Sequence, residues 1–335
     1  MNASIGPLAT LDMALLNDWQ RDFPLCARPF EVIASSLGCA ATEVQARYAE
    51  LQQSGALSRI GGIFGVGAGG SAMLCALAVP PEQLDRVAEQ VNAFDYVNHN
   101  YARQHHWNLW FVVTAPSQAD RDTCVSQIET LTGLRALRLP MRRAFRIDLG
   151  FDLKTGHCQA VQQRRCQPIE SRDHALAAAI EAGLPLVDQP YALWAQQSGR
   201  SETDVLHTIE SWLDSGVLRR FGAVVRHHEL GVTANAMTVF NVPDESLIER
   251  GQALAKQPGI TLCYARQRDG GWPYNLYCMV HGRTEAETRA HIEHARQYAG
   301  LLPYDHAVLF STQRYKQTGG RYFRPSQTST LAVAA

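Results

Sequence analysis

The apolar positions of this chain change period in a fixed order, and the order is written twice. Helical spacing comes first. One helix precedes Pro24 and another precedes Pro185. Pro29–Leu37 and Pro190–Ser198 then read as short helices with proline in the first turn, closed by Gly38 and Gly199. Thr42 and Ser201 are the expected N-caps of a third helix in each copy, ending at Gly55 and Gly216. Alternation takes over at Leu57–Phe64 and Leu218–Arg226, which read as wing strands. Each copy therefore predicts a winged helix-turn-helix.

The rest of each copy predicts β-α-β-β-α-β, the ferredoxin-like plait. In the first copy, strands are expected at Ala72–Val79, Tyr96–Arg103, Asn108–Thr114 and Leu134–Leu139, with helices at Pro81–Ala93 and Gln118–Thr132. In the second, strands fall at Ala234–Val242, Ile260–Gln267, Tyr274–His281 and Asp305–Phe310, with helices at Asp244–Gln257 and Thr284–Tyr298. The fold class is α+β, a tandem duplication. The domains expected are helix-turn-helix at 1–66 and 172–226 and ferredoxin-like at 67–150 and 227–335. The polar, aperiodic span 151–171 reads as a linker.

Residue identities support the duplication directly. Residues 23–62 lie over 184–223 at a constant offset of 161, without gaps. Pro24, Pro29, Gly38, Gly55 and Gly61 then meet Pro185, Pro190, Gly199, Gly216 and Gly222, so the same turns are specified twice. Further on, Tyr101–Ala102–Arg103 recurs as Tyr264–Ala265–Arg266, and Asn108–Leu109 as Asn275–Leu276.

Composition narrows the function class. With 335 residues, 46% hydrophobic and 19% charged, the chain has the make-up of a globular protein. Its net charge of -1 gives no support to nucleic-acid binding, although charge can still be segregated locally. The eight cysteines form no CxxC pair and no zinc spacing, which points to free thiols in a reducing cytoplasm. No apolar run approaches the roughly 20 residues that span a bilayer, and Met1–Asp12 shows no export signal.

A winged helix-turn-helix followed by this plait resembles the Lrp/AsnC regulators, here as a fused dimer. In such regulators plaits pair sheet to sheet and bind small molecules at the seam. Two motif sets point to a narrower family. The second half carries Arg219–Arg220–Phe221–Gly222–Ala223–Val224–Val225–Arg226–His227, Cys263–Tyr264–Ala265–Arg266 and Trp272–Pro273–Tyr274–Asn275–Leu276–Tyr277–Cys278–Met279–Val280–His281–Gly282. The first half carries His99–Asn100–Tyr101–Ala102–Arg103–Gln104–His105, then Asn108–Leu109–Trp110–Phe111. These resemble the two subunit types of sirohaem decarboxylase joined in one chain. The resemblance implies removal of CO2 from the C12 and C18 acetates of sirohaem, giving 12,18-didecarboxysirohaem for haem d1 or an alternative haem. It implies no cofactor beyond the iron that the substrate carries. The implied partners are substrate and product, with a homo-oligomer or related decarboxylase subunits and no DNA. One departure stands out: Gly65–Val66–Gly67–Ala68–Gly69–Gly70 replaces Arg226–His227–His228, so the halves cannot offer identical sites.

An iron tetrapyrrole needs aromatic faces, an axial ligand and a cationic collar for its carboxylates. Arginine suits the collar because its planar fork bonds a carboxylate twice. Arg103, Arg220, Arg226 and Arg266 are candidates, joined by Arg146 and Lys316; Asn108, Trp272 and Asn275 complete the expected substrate-binding set. Loss of CO2 leaves a carbanion that the macrocycle absorbs, so the protein must supply a proton. His227 with Tyr264 is the first choice of donor, with His99, Tyr101 and His105 as first-half counterparts. His227 or His105 is the candidate axial ligand.

Blander readings accompany these. The recurring arginines would otherwise make a surface ion pair, Asn108 and Asn275 would hold a turn, and Trp110 would be core. His281 reads as a turn residue. The run Gly65–Gly70 satisfies GxGxxG by letter, but a strand follows where a dinucleotide site needs a helix. A haem- or tetrapyrrole-responsive Lrp/AsnC-type regulator is the alternative, and a non-catalytic carrier the third. Against the regulator, the third helix of the second copy has Glu202, Asp204, Glu210 and Asp214, with no Lys or Arg from Ser201 to Gly216.

Overall fold

A computed structural model of the chain describes residues 10–147, 166–225 and 234–326. Two compact units result, and each draws on both sequence halves: residues 10–69 with 166–225, and 70–147 with 234–326. No described helix is long and apolar enough to cross a membrane.

The first unit holds α1 (Thr10–Asn17), α2 (Pro29–Leu37), α3 (Ala41–Gln53) and β1 (Leu57–Phe64), repeated as α6 (His174–Ala182), α7 (Pro190–Ser198), α8 (Glu202–Asp214) and β6 (Leu218–Val225). Proline opens α2 and α7, and left-handed Gly38 and Gly199 close them. Ser201 caps α8 by accepting the Asp204 N–H. Thr42 does not cap: α3 begins at Ala41, two residues earlier than that cap implies, with Ala40 at the cap position. The wings pair with each other, antiparallel, centred on Gly61 opposite Gly222. A methyl group on either would strike backbone, Ile180 O at 2.7 Å or Trp19 O at 2.3 Å, so glycine is what lets the helices close on the wing. Phe23, Phe30, Tyr48, Tyr191, Trp194 and Phe221 fill the space between. Cys166 and Ile169, at the end of the expected linker, hydrogen-bond to Val66 and Ala68; positions 151–165 lie outside the described residues.

The second unit is a closed antiparallel barrel. Its first half gives β2 (Ser71–Leu77), α4 (Leu84–Asn92), β3 (Val97–Arg103), β4 (Leu109–Ala115), α5 (Gln118–Thr132) and β5 (Leu137–Ile147). Its second gives β7 (Ala234–Phe240), α9 (Leu247–Ala255), β8 (Ile260–Arg266), β9 (Leu276–Gly282), α10 (Glu285–Tyr298) and β10 (His306–Gln317). The strand order is β10-β3-β4-β2-β5-β8-β9-β7, closed on itself. This corrects the expectation of plaits stacked sheet to sheet. β5 and β10 run well past Leu139 and Phe310, and each leaves its own half to pair with the other: β5 with β8, and β10 with β3.

Side chains alternate across the barrel wall. Met73, Cys75, Phe111 and Val113 point outward onto Val87, Val91, Val125 and Ile128 of α4 and α5. Leu74, Ala76, Trp110, Leu139, Met237, Val239, Tyr277 and Leu309 point into the lumen. Because all neighbours are antiparallel, β3 and β8 run the same way, and the approximate two-fold axis lies along the barrel. Arg103 and Arg266 therefore start from one end, Asn98 and Thr261 from the other. Trp110, Leu137, Trp272 and Tyr277 fill the arginine end and are at most 2% exposed, whereas His99, Tyr101, Tyr264 and Met279 keep partial access. The lumen is filled at the arginine end and less tightly buried at the other.

Candidate active site in the barrel lumen

Tyr101 and Arg103 are two residues apart on β3, so both face the lumen; Tyr264 and Arg266 do the same on β8. Arg103 donates to the Leu309 carbonyl at 3.0 Å, and Arg266 donates to the Leu139 carbonyl at 2.9 Å. Each guanidinium lies over its own tyrosine, 5.6 Å from Tyr101 and 5.1 Å from Tyr264. Among the described residues neither has a carboxylate partner, and the Nε of each is buried without an acceptor. The surface ion pair is thereby replaced by two cations without a carboxylate, Arg103 buried and Arg266 half-buried with its Nε enclosed. Burial pushes Arg103 down to about 10 and lowers Arg266, yet both stay charged at neutral pH. A site built this way attracts a ligand carrying two separated anionic groups.

The histidines divide by tautomer. His99 stacks on Tyr101 at 6.3 Å, with its Nδ1 2.9 Å from Asn98 Oδ1. Nδ1–H must donate there, leaving the lone pair on Nε2, which is the state that a metal ligand requires. Burial drives this imidazole down to about 4, so it is neutral at pH 7. His105 is the reverse. Its Nδ1 accepts the Trp107 N–H at 3.0 Å, so its proton sits on Nε2. In this tautomer Nε2–H is a hydrogen-bond donor. Burial pushes the Tyr264 hydroxyl well up, so it remains protonated across the working range.

Other candidates take structural places. Asn108 accepts the Val79 N–H and donates to the Val79 carbonyl, at 2.9 and 2.8 Å; Asn275 does the same to Val242 at the same distances. Both amides are consumed in holding a turn. Trp272 is buried rather than displayed: its Nε1 donates to Tyr277 Oη at 2.7 Å, and its ring meets Trp110, His105 and Tyr274. Trp110 is core, as expected. Arg146 donates to the Ala255 carbonyl at 3.0 Å, and Lys316 to the Asn92 and Phe94 carbonyls at 2.7 and 3.0 Å. The two cations thus cap α9 and α4, each helix belonging to the other half. Arg220 lies in the helix-turn-helix unit, 5% exposed, bonded to the Gln20 and Ala223 carbonyls at 2.7 and 2.9 Å. In that place it clamps the wing. Arg226 and His227 lie outside the described residues.

The sequence itself carries the family. Residues 12–57 and 173–219 match the siroheme decarboxylase NirDL-like helix-turn-helix domain, and 66–146 and 229–316 match the AsnC-like ligand-binding domain. The "Siroheme decarboxylase NirDL subunit" of Paracoccus denitrificans is 41% identical over 313 residues, covering 92% of this chain and 96% of that protein. The chain belongs to the sirohaem decarboxylase NirDL family. The crystal structure of a siroheme decarboxylase NirDL superposes with a TM-score of 0.67 at 28% identity, covering 94% of this chain and 95% of that one. A second structure, of that enzyme with an iron-uroporphyrin III analogue, gives 0.65 at 28% identity, over 94% of each chain. Separate NirD and NirL subunits of Stutzerimonas stutzeri are 50% identical over 143 residues and 44% over 151; they cover 43% and 45% of this chain, which spans 94% and 89% of their lengths.

Within this member of the decarboxylase family, the lumen also gathers residues that the motif reading passed over. Tyr277 lies 5.8 Å under Arg266, and the Met279 sulfur 4.0 Å from Arg103. His281 is on β9 rather than in a turn, with Nδ1 3.0 Å from Thr261 Oγ1. Its first-half counterpart is the Asn98–Thr114 pair at 3.3 Å. Strand parity is the signal that would have found all three, since Tyr277, Met279 and His281 share one face.

Proposed function

We infer that this protein is a sirohaem decarboxylase, converting ring acetates to methyl groups with release of CO2, at C12 and C18 to give 12,18-didecarboxysirohaem on the haem d1 or an alternative haem route. One observation carries the assignment: two desolvated arginines, related by the barrel axis, line the lumen without a counter-ion. A macrocycle with carboxylates around its rim supplies those counter-ions. The bound analogue in the related structure is an iron porphyrin, which fits iron arriving with the substrate.

In each step the carboxylate's C–C bond breaks, CO2 leaves, and its electron pair passes into the conjugated ring. Arg103 or Arg266 orients the carboxylate, and the water-poor lumen favours the neutral product CO2 over the solvated anion. The proton that completes the methyl group comes from a neutral donor, because His99 does not hold an imidazolium proton at neutral pH. Tyr264 Oη and His105 Nε2 are assigned that part, with Tyr101 in the first half. Arg266, beside Tyr264, stabilises the phenolate until solvent reprotonates it. His99 Nε2 is assigned to the iron, alongside His227. Arg226 belongs to the proposed carboxylate collar. The reading places the enzyme in the cytoplasm, working as this chain alone or with related subunits. Anaerobic incubation with sirohaem, followed by mass spectrometry, should show loss of two CO2. A chain that binds the pigment without turnover would be a carrier, and one that shifts promoter DNA in a gel would be a regulator.

A further inference from the structure

After β10 ends at Gln317, the chain turns back over the end of the barrel marked by Asn98 and Thr114. Thr318 N donates to the Asn98 carbonyl at 2.7 Å, and Arg321 N donates to Thr114 Oγ1 at 2.8 Å. Ser326 N donates to Tyr96 Oη at 2.9 Å, beyond an Arg321–Asp95 ion pair at 3.7 Å. Between these anchors Tyr322 enters a slot made by two glycines. A methyl group on Gly70 would come within 2.7 Å of the Tyr322 ring, and one on Gly320 within 2.8 Å. The Tyr322 hydroxyl also lies within electrostatic reach of Tyr264 and Arg266. The slot is written only once, since the second copy has Thr233 at the position of Gly70.

We propose that Thr318–Ser326 is a strap over the mouth of the lumen, and that its Tyr322 is one wall of the tetrapyrrole cavity. This rests on the lumen being the pigment site. The filled end admits nothing the size of a macrocycle, so the substrate enters past the strap, which opens and then closes with the aromatic ring against the pigment. Tyr322 is a positioning residue: it holds the ring system so that an acetate meets Arg266.

The test uses the full chain and sirohaem, read by absorption titration and stopped-flow dissociation. Tyr322→Ala should raise Kd about tenfold, chiefly through faster release, as expected for loss of one aromatic wall. Gly320→Ala should do the same by displacing the ring, because Gly320 does not need a left-handed backbone. Tyr322→Phe should stay near wild type, and the Gly320→Ala/Tyr322→Ala double variant should be no worse than Tyr322→Ala. Unchanged pigment affinity in Tyr322→Ala overturns the strap, as does a lowered melting temperature of the pigment-free protein with Kd intact. If the wild-type chain takes up no sirohaem, the parent reading falls and the strap falls with it.

Discussion

Arg103 and Arg266 are cations taken out of water whose strongest partners are one main-chain carbonyl each and an aromatic face. Such a group costs several kcal/mol after relaxation, and only an anion recovers it. Removing the charge should therefore move stability and binding in opposite directions. Arg103→Met or Arg266→Met should leave the pigment-free protein as stable or about 1–4 kcal/mol more stable. Each should also weaken sirohaem binding about 10- to 100-fold, the loss of a charge-assisted hydrogen bond of about 1.5–3 kcal/mol. Thermal melts and absorption titrations read the two effects separately; a variant that melts lower and binds normally would make these arginines structural. His99 gives a second, pH-coded signature. Its folded pKa of about 4 lies below the ordinary 6.5, so between those values the unfolded chain binds a proton that the folded chain refuses. Stability is complete above pH 6.5 and declines toward pH 4. His99→Leu, the residue that the second copy has as Leu262, should flatten that slope in melts recorded from pH 7 to pH 4.

At the scale of elements, the barrel is made by two strands that outgrow their own plaits. Arg146 on β5 and Lys316 on β10 each close the C-terminus of a helix in the opposite half, so the same clasp occurs twice. Arg146→Met and Lys316→Met should each cost about 1 kcal/mol. The double variant should cost their sum, because the two clasps share no partner. Denaturant midpoints test both numbers. The helices and most strands were legible because proline, glycine and serine mark their ends, as at Pro29–Gly38 and Ser201. The extensions of β5 and β10 were not. Beyond Leu139 and Phe310 the side chains lose strict alternation, because Met141–Ile147 and Ser311–Gln317 face neighbours from the other half across bulged registers. The site was half legible for a related reason. The Tyr-x-Arg repeat on β3 and β8 announced the lumen face, but Asn108, Asn275, Arg146 and Lys316 have the chemistry of a binding site and serve turns and helix ends. Only hydrogen-bond partners distinguish those uses.

For the whole molecule, the duplication sets a condition on activity. One arginine of the proposed pair comes from each half, so half a chain cannot hold the ligand at both ends. Nor can it complete a barrel. Without its partner the first half exposes the edges of β1, β3 and β5, and unpaired edges recruit other strands. Relatives with separate NirD and NirL subunits show that covalent continuity is not a feature of every family member. Division of this chain within residues 151–165, with co-expression of the pieces, should therefore yield a one-to-one complex recovered through a tag on either piece. Either piece expressed alone should aggregate or pair with itself, and should not change the sirohaem spectrum as the complex does. Covalent joining raises the effective concentration of one half at the other to about millimolar, so the divided protein should lose activity on dilution where the intact chain does not. A tagged half that purifies as a folded, pigment-binding monomer would break the argument, because the barrel and the arginine pair would then be dispensable together.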